Sequence, residues 1–114
     1  MTARVDKAVS MGCDGIEPDN MDVYLYDEQS AGFDISEAEQ IVYNAWFANT
    51  IHDHGVVMGL KNSVELLADL VGSFDFALNE QCNVYDECGV SIAWYRLGYN
   101  GTFLAQGKPV FNVE

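Results

Sequence analysis

The stretch VVMGLKNSVELLADLVGSFDFALNEQ, residues 56–81, contains two apolar runs separated by a short amphipathic segment. The first run, 56–62, is continuously apolar before it ends in polar residues, as buried strands of parallel sheets are. Residues 63–74 favour a short helix that Ser63 opens, and residues 74–81 favour a second strand. A strand, a helix and a strand in this order predict a parallel pair joined by a right-handed crossover.

The same alternation continues on both sides of this stretch. The sequence predicts two further helices and two further strands: helices over 2–11 and 36–55, and strands over 13–19 and 107–114. The second of these helices begins at a capping box, because Ser36 and Glu39 stand at the required spacing. Residues 89–106 are less regular. Four strands alternating with helices predict an α/β fold with a parallel sheet.

Charge and length exclude several classes of protein. Eighteen acidic residues against five basic ones give a formal charge of −13, which argues against nucleic-acid binding because phosphates would be repelled. This charge suits a cationic ligand, a metal or simple solubility. No apolar run approaches the roughly 20 residues that cross a membrane, and the N-terminus has no apolar signal region. We therefore expect a chain without an export signal or a membrane segment of its own.

Each predicted strand ends in polar side chains. They are Glu17 and Asp19, Lys61 and Asn62, Asn79 and Glu80, and finally Glu114. Sites of parallel α/β proteins are built where the carboxyl ends of the strands meet, so these side chains are the first candidates for function. On a regular strand Asn79 would face away from Glu80 and serve the layer behind the site.

The acidic stretch DGIEPDNMD, residues 14–22, allows three interpretations: a solvated loop, a metal site on its aspartates, or a strand end. The alternation of strands and helices favours a strand end, with Glu17 on the same face as Asp19. The segment HDH, 52–54, is predicted to close a helix rather than to bind a metal. We therefore predict no metal.

Three cysteines add little to the assignment of function. Cys82 and Cys88 stand at a spacing that allows a small disulfide loop, and no zinc-binding framework is visible. Cys13 is predicted to be a small buried hydrophobic residue.

Four segments, GCDGIEPDNMDVY, GLKNSVELLADLVGSFDFALNEQC, YDEC and GKPVFNVE, resemble the C-terminal half of the glycoside hydrolase family 114 domain, from about Ala3 to Glu114. Members of this family are endo-α-1,4-polygalactosaminidases with a (β/α)8 TIM barrel. The resemblance implies that this chain supplies strands five to eight, so 1–114 is a partial catalytic domain without its N-terminal half-barrel. It also implies an extracellular location, a cationic galactosamine polymer as substrate, and no cofactor.

The resemblance places the two carboxyl groups that glycoside hydrolysis requires on Asp19 and Glu80. Asp19 is expected to be the nucleophile and Glu80 the general acid/base. The expected substrate-binding residues are Glu17, Asn20, Asp22, Tyr24, Lys61, Asn62, Tyr85 and Glu114.

Alternatives remain open for most of these substrate-binding residues. Glu17 could bind sugar hydroxyl or ammonium groups, or pair with Lys61, which could itself hold a carboxylate ionised. Asn20 and Asp22 are suited to organising the loop, and the tyrosines to stacking on sugars or to packing. For the whole chain, the alternative is an inactive half-barrel that binds glycan weakly or self-associates.

Overall fold

The computed structural model describes residues 1–26, 28–85 and 98–113. The first half of the predicted irregular segment 89–106 therefore lies outside the described residues, as do Cys88 and Glu114. The helices are α1 (Thr2–Ser10), α2 (Glu28–Ala31), α3 (Glu37–His52), α4 (Leu67–Leu70) and α5 (Gly98–Gly101). The strands are β1 (Gly15–Ile16), β2 (Val57–Lys61), β3 (Phe76–Glu80) and β4 (Val110–Val113). Short 3-10 turns cover Val23–Leu25, Val64–Leu66 and Leu104–Gln106.

The four strands form one sheet in the order β1-β2-β3-β4, and every neighbouring pair is parallel. Strand order therefore follows chain order, as it does around a β/α barrel. The predicted α/β fold, four parallel strands alternating with helices, is confirmed as a half-barrel. β1 is shorter than predicted, with two residues in place of the expected 13–19.

Helix α3 forms where its capping box predicts it. The Ser36 Oγ accepts the Glu39 backbone N–H at 3.3 Å, and the Glu39 carboxylate accepts the Ser36 backbone N–H at 2.9 Å. The helix ends at His52, and Gly55 follows with φ of +75°, a backbone conformation that favours glycine. Ser63 does precede the short helical turn before α4, but its hydroxyl donates to the Lys61 carbonyl rather than capping that turn.

The core lies between the sheet and its helices. The side of the sheet that faces the helices is fully buried at Met58, Leu60 and Ala77. The largest fully buried side chains that complete this core include Ile51, Leu66, Leu67, Leu70, Phe74 and Phe103. The strand ends that carry the polar side chains are thus supported from one side by close packing.

The opposite side of the sheet is the inner face of the half-barrel, and it is open. Phe111 is 53% exposed and Val113 is 51% exposed, although both stand on a strand. The Phe76 ring lies over Gly59, where an added Cβ would clash with it, and it meets the Phe111 ring edge-on at 5.6 Å. The inner face therefore presents apolar side chains to solvent below the polar strand ends.

The cysteines depart in part from expectation. Cys13 is exposed, so the prediction of a buried residue is wrong; it lies between Gly12 and the very short β1, outside the packed region. Cys82 is buried and disulfide-bonded. Because Cys88 lies outside the described residues, its pairing with Cys82 stays a prediction. Within the described ranges, no helix has both the length and the apolar character to cross a membrane.

Candidate active site

A lysine between two carboxylates is the centre of the candidate site. Lys61 Nζ lies 3.2 Å from Asp19 Oδ1 and 3.1 Å from Glu80 Oε2. The lysine side chain is only 17% exposed, whereas the carboxylate side chains are 64% exposed at Asp19 and 49% at Glu80. The two predicted catalytic residues therefore converge on one half-buried cation and remain accessible from solvent.

The parallel sheet explains this convergence. Lys61 is the last residue of β2, and Glu80 is the last residue of the neighbouring β3. Because Lys61 pairs with Leu78, Glu80 stands two residues further along and points to the same face. Asp19 follows β1, the neighbour of β2 on its other side. The lysine is thus on the strand between the two acids and can reach both.

The electrostatics of the site keep the lysine charged. Hydrogen bonds to Glu80 and then to Asp19 raise the pKa of Lys61 above its usual value. Burial is the main cause that raises the pKa of Glu17; the charge of Lys61 opposes it, and the charges of Asp19 and Glu80 add to it. Glu17 therefore has a greater tendency than an ordinary glutamate to hold a proton at this position.

Glu17 does not contact the lysine directly. Both carboxylate ion pairs of Lys61 in the described residues are with Asp19 and Glu80. The Oε1 atom of Glu17 is buried and has no hydrogen-bond partner among the described residues. The structure therefore does not contain the ion pair between Glu17 and Lys61 that one of the two interpretations of Glu17 predicted.

The loop after Asp19 is organised by its own polar groups. Asn20 has φ of +56°, and its backbone N–H donates to Asp19 Oδ1 at 3.0 Å. The Tyr26 hydroxyl donates to Asn20 Oδ1 at 3.1 Å and lies 3.5 Å from Asp22 Oδ1. Burial raises the pKa of Asp22, and its own backbone N–H and the Tyr26 hydroxyl oppose that rise while the Glu65 charge adds to it. Asn20 and Asp22 thus organise the loop, as one alternative predicted.

This loop is also tied to α3, through residues that the sequence analysis missed. The Asn44 side-chain amide donates to the Met21 carbonyl at 2.8 Å, and Gln40 donates to Asn44 Oδ1 at 2.8 Å. Asn44 and Gln40 are both buried polar side chains. Their positions four residues apart on one helix are the signal in the sequence, but nothing in the sequence names Met21 as their target.

Two depressions flank the pair of acids. One of about 270 Å³ lies beside Glu80 and is lined by Asp22, Leu25, Asn62, Ser63, Val64, Glu65, Glu80 and Tyr85. The other, of about 550 Å³, lies beside Asp19 and includes Met21, Val23, Phe33, Asp34, Ile35 and Tyr43. Each depression thus has one of the two carboxylates in its wall.

The remaining predicted residues differ in their placement. Tyr85 is exposed at the wall of the smaller depression, as a stacking ring would be. Tyr24 packs against the core with its hydroxyl oxygen buried, which is the packing alternative. Asn79 is fully buried and faces away from Glu80, as strand alternation predicts. Glu114 lies outside the described residues.

In the parts of the chain that are described, no three His, Cys, Asp or Glu side chains are grouped to hold a metal ion.

Two comparisons with known proteins, one with family models and one with solved structures, indicate the same family. The family model of glycoside hydrolase family GH114 matches residues 1–114. Among solved structures, the crystal structure of Aspergillus fumigatus Ega3 in complex with galactosamine is similar, with a TM-score of 0.80 and 35% sequence identity. The match covers 98% of this chain and 40% of the Ega3 chain, so this chain spans less than half the length of that relative. No curated protein matches the sequence. On the match over its whole length, the chain belongs to glycoside hydrolase family GH114.

Proposed function

We propose that this chain carries the catalytic pair of a glycoside hydrolase that cleaves α-1,4-linked, galactosamine-containing polysaccharide. The observation that carries the proposal is the convergence of Asp19 and Glu80 on Lys61 at the carboxyl ends of adjoining strands. Because both carboxylates contact the same ammonium, their nearest oxygens are separated by no more than the sum of two hydrogen-bond distances. Two carboxyl groups at such short range can flank a single glycosidic bond.

In the proposed reaction, Asp19 is the nucleophile and Glu80 the general acid/base. Glu80, in its protonated form, gives a proton to the leaving glycosidic oxygen while Asp19 attacks the anomeric carbon through an oxocarbenium-like transition state. The ionised Glu80 then takes a proton from the water that displaces Asp19 from the sugar. The Lys61 ammonium holds the two carboxyl groups beside each other through its two contacts. This sequence of steps retains the configuration of the anomeric carbon.

The proposed substrate is a cationic galactosamine polymer, and the reaction needs no cofactor. The formal charge of −13 attracts a polycation, and the exposed carboxylates of the site can accept hydrogen bonds from sugar ammonium groups. The similar Ega3 structure holds galactosamine. The exposed Tyr85 ring offers a surface on which a sugar can stack. A polymer substrate of this kind agrees with an extracellular location.

The proposal is tested by hydrolysis of de-N-acetylated α-1,4-galactosamine oligosaccharides, with products separated by chromatography. Removal of a general acid/base costs about 10²–10⁴-fold in rate, so Glu80→Gln is expected to lose at least this much, and Asp19→Asn a similar amount. Asp14→Asn is the matched control, because Asp14 is an exposed acid of the same acidic stretch that takes no part in the ion pairs. No products from the native chain, or normal turnover by either site variant, would contradict the proposal.

A second candidate is a half-barrel that is inactive alone, and binds glycan weakly or self-associates. The exposed apolar inner face favours it, since Phe111 and Val113 would be covered by a second layer of strands. Light scattering coupled to size-exclusion chromatography separates the two candidates. A stable dimer that Phe111→Asp converts to a monomer supports self-association, whereas an active monomer supports the first proposal.

A further inference from the structure

Backbone conformations that are unfavourable for residues other than glycine occur at the site. In the described part of the chain, the non-glycine residues with positive φ are Asn20, Asn62, Ser63 and Gln81. Each follows a member of the ion-pair cluster: Asn20 comes after Asp19, Asn62 and Ser63 come after Lys61, and Gln81 comes after Glu80. Such conformations persist only where surrounding contacts hold them, and they concentrate at functional sites.

The contacts that hold Asn62 connect it to Glu80. The Glu80 backbone N–H donates to Asn62 Oδ1 at 2.9 Å. The backbone N–H of Asn62 donates to the Leu78 carbonyl at 2.9 Å. The left-handed backbone of Asn62 thus turns its side chain across β3, where it binds the amide of the predicted acid/base residue.

A buried layer continues behind these contacts. The Asn79 side-chain amide donates to the Tyr99 hydroxyl at 3.0 Å, and this hydroxyl lies 3.4 Å from the Asn62 carbonyl, to which it donates. Asn79 is fully buried and Tyr99 is 3% exposed. Neither side chain can reach a substrate on the open side, so any effect they have on the site passes through Asn62 and Glu80.

We propose that Asn62, with Asn79 and Tyr99 buried behind it, forms a hydrogen-bond relay that positions the Glu80 carboxyl for proton transfer. The inference rests on the proposed function, in which Glu80 is the acid/base residue. It changes the role expected of Asn62, which acts on the backbone of Glu80 as a positioning residue rather than as a ligand of the sugar. Because buried polar groups are costly when unpaired, loss of one member disturbs the next.

The first test compares two substitutions at Asn62. Asn62→Gly accepts the positive φ but removes the oxygen, whereas Asn62→Asp keeps an oxygen that can accept the Glu80 N–H. Amide hydrogen exchange at Glu80, followed by NMR, is expected to accelerate in Asn62→Gly and to stay slow in Asn62→Asp. Unchanged exchange in Asn62→Gly would overturn the relay, and this readout does not depend on hydrolysis.

The second test uses kinetics. Because small misplacements of a reacting group cost about 10²-fold, Asn62→Gly is expected to lower kcat by about this factor with KM changed by less than about twofold. Tyr99→Phe is expected to lower kcat by a smaller factor, also without a change in KM. The matched control is Thr102→Val, which removes another buried hydroxyl of the same region, one that donates to the Gly98 carbonyl and has no link to Glu80.

The outcomes separate the inference from the proposed function. A raised KM with unchanged kcat in Asn62→Gly would show that Asn62 binds the sugar directly, and would overturn the relay. If kcat falls as much in Thr102→Val as in Tyr99→Phe, the effect of Tyr99→Phe comes from a general loss of packing. That result would also overturn the relay. A native chain that hydrolyses nothing refutes the proposed function alone, and the amide exchange at Glu80 then decides the relay.

Discussion

Two lysines at opposite ends of the sheet have contrasting environments. Lys61 ends β2 at the carboxyl end of the sheet, where its ammonium contacts two side-chain carboxylates. Lys108 precedes β4 at the amino end, where its ammonium donates to two backbone carbonyls, those of Val71 and of Phe74, the latter at 2.6 Å. The first lysine thus joins ionisable groups of three strands, and the second satisfies carbonyls that follow the short helix α4.

This difference supports the assignment of the proposed reaction to the carboxyl end of the sheet and of a stabilising contact to the amino end. At the amino end, the Lys108 ammonium binds two backbone carbonyls and stabilises one packing arrangement. At the carboxyl end, the cation holds two half-exposed carboxylates near each other, although like charges at short range repel. An arrangement of this kind contributes little to stability in solvent, which agrees with the proposed role of the two carboxylates in hydrolysis.

Of the changes that test this comparison, Lys61→Met is expected to have the largest effect, because it removes the charge from the site while keeping a side chain of similar length. Hydrolysis is expected to fall by about 10²-fold, because the two carboxylates lose the group that positions them. The free energy of unfolding is expected to change by less than about 1 kcal/mol, since both acids are largely exposed. Initial rates and urea denaturation measure the two effects. A large loss of stability with normal turnover would reverse the roles assigned to the two ends.

Lys108→Met is the matched change at the amino end, and the opposite result is expected. Hydrogen bonds to charged groups contribute about 1.5–3 kcal/mol, and the substitution leaves two carbonyls without their donor, so the free energy of unfolding should fall by about 2 kcal/mol. The kcat of the folded variant should equal that of the native chain. A lowered kcat at full folding would show that the amino end also contributes to the reaction.

The carboxyl-end side of this comparison could largely be predicted from the sequence, whereas the environment of Lys108 was not. Polar residues after apolar strands placed Asp19, Lys61 and Glu80 at one edge, because the carboxyl ends of parallel strands lie together. The resemblance to the family selected the two acids from among several. Lys61 lies between the two acids because its strand, β2, lies between β1 and β3. The sequence predicts this order, because consecutive strands of a β/α barrel are neighbours in the sheet.

The supporting contacts could not be predicted, because they join residues that are distant in the chain. Asn44 binds the carbonyl of Met21, 23 residues away, and Tyr99 binds Asn79, 20 residues away. Helix α3 was predicted from its capping box and its apolar residues, and α5 lies in a stretch predicted to be less regular. Neither pattern indicates a partner for a buried asparagine or a buried tyrosine hydroxyl. Cys13 was misassigned for a related reason, since the neighbouring strand is too short to bury it.

The smallest expected effect is a pH dependence at the end of α3, away from the strand ends that carry the acids. His54 Nδ1 lies 2.8 Å from the Thr50 carbonyl and Nε2 lies 3.0 Å from Asp6. The Thr50 carbonyl first, then Asp6, and weakly Asp53, raise the pKa of His54 above its usual value. A raised pKa in the folded state means that protonated His54 favours folding, so its contribution is complete below about pH 6.5 and is lost as pH rises through the folded value.

The native chain should therefore lose stability relative to His54→Gln as pH rises from about 6 to about 8, and the two should run parallel at higher pH. Urea midpoints measured across this range give the difference directly, and because other titrating groups are common to both chains, their contributions cancel. Asp6→Asn should remove part of the same difference. The pH profile of kcat should be the same in His54→Gln as in the native chain, because His54 contacts none of the strand-end acids. A shift in the pH profile of kcat, or identical pH profiles of stability in the two chains, would contradict the comparison. Stabilising contacts could then not be assigned to the amino end and the proposed reaction to the carboxyl end.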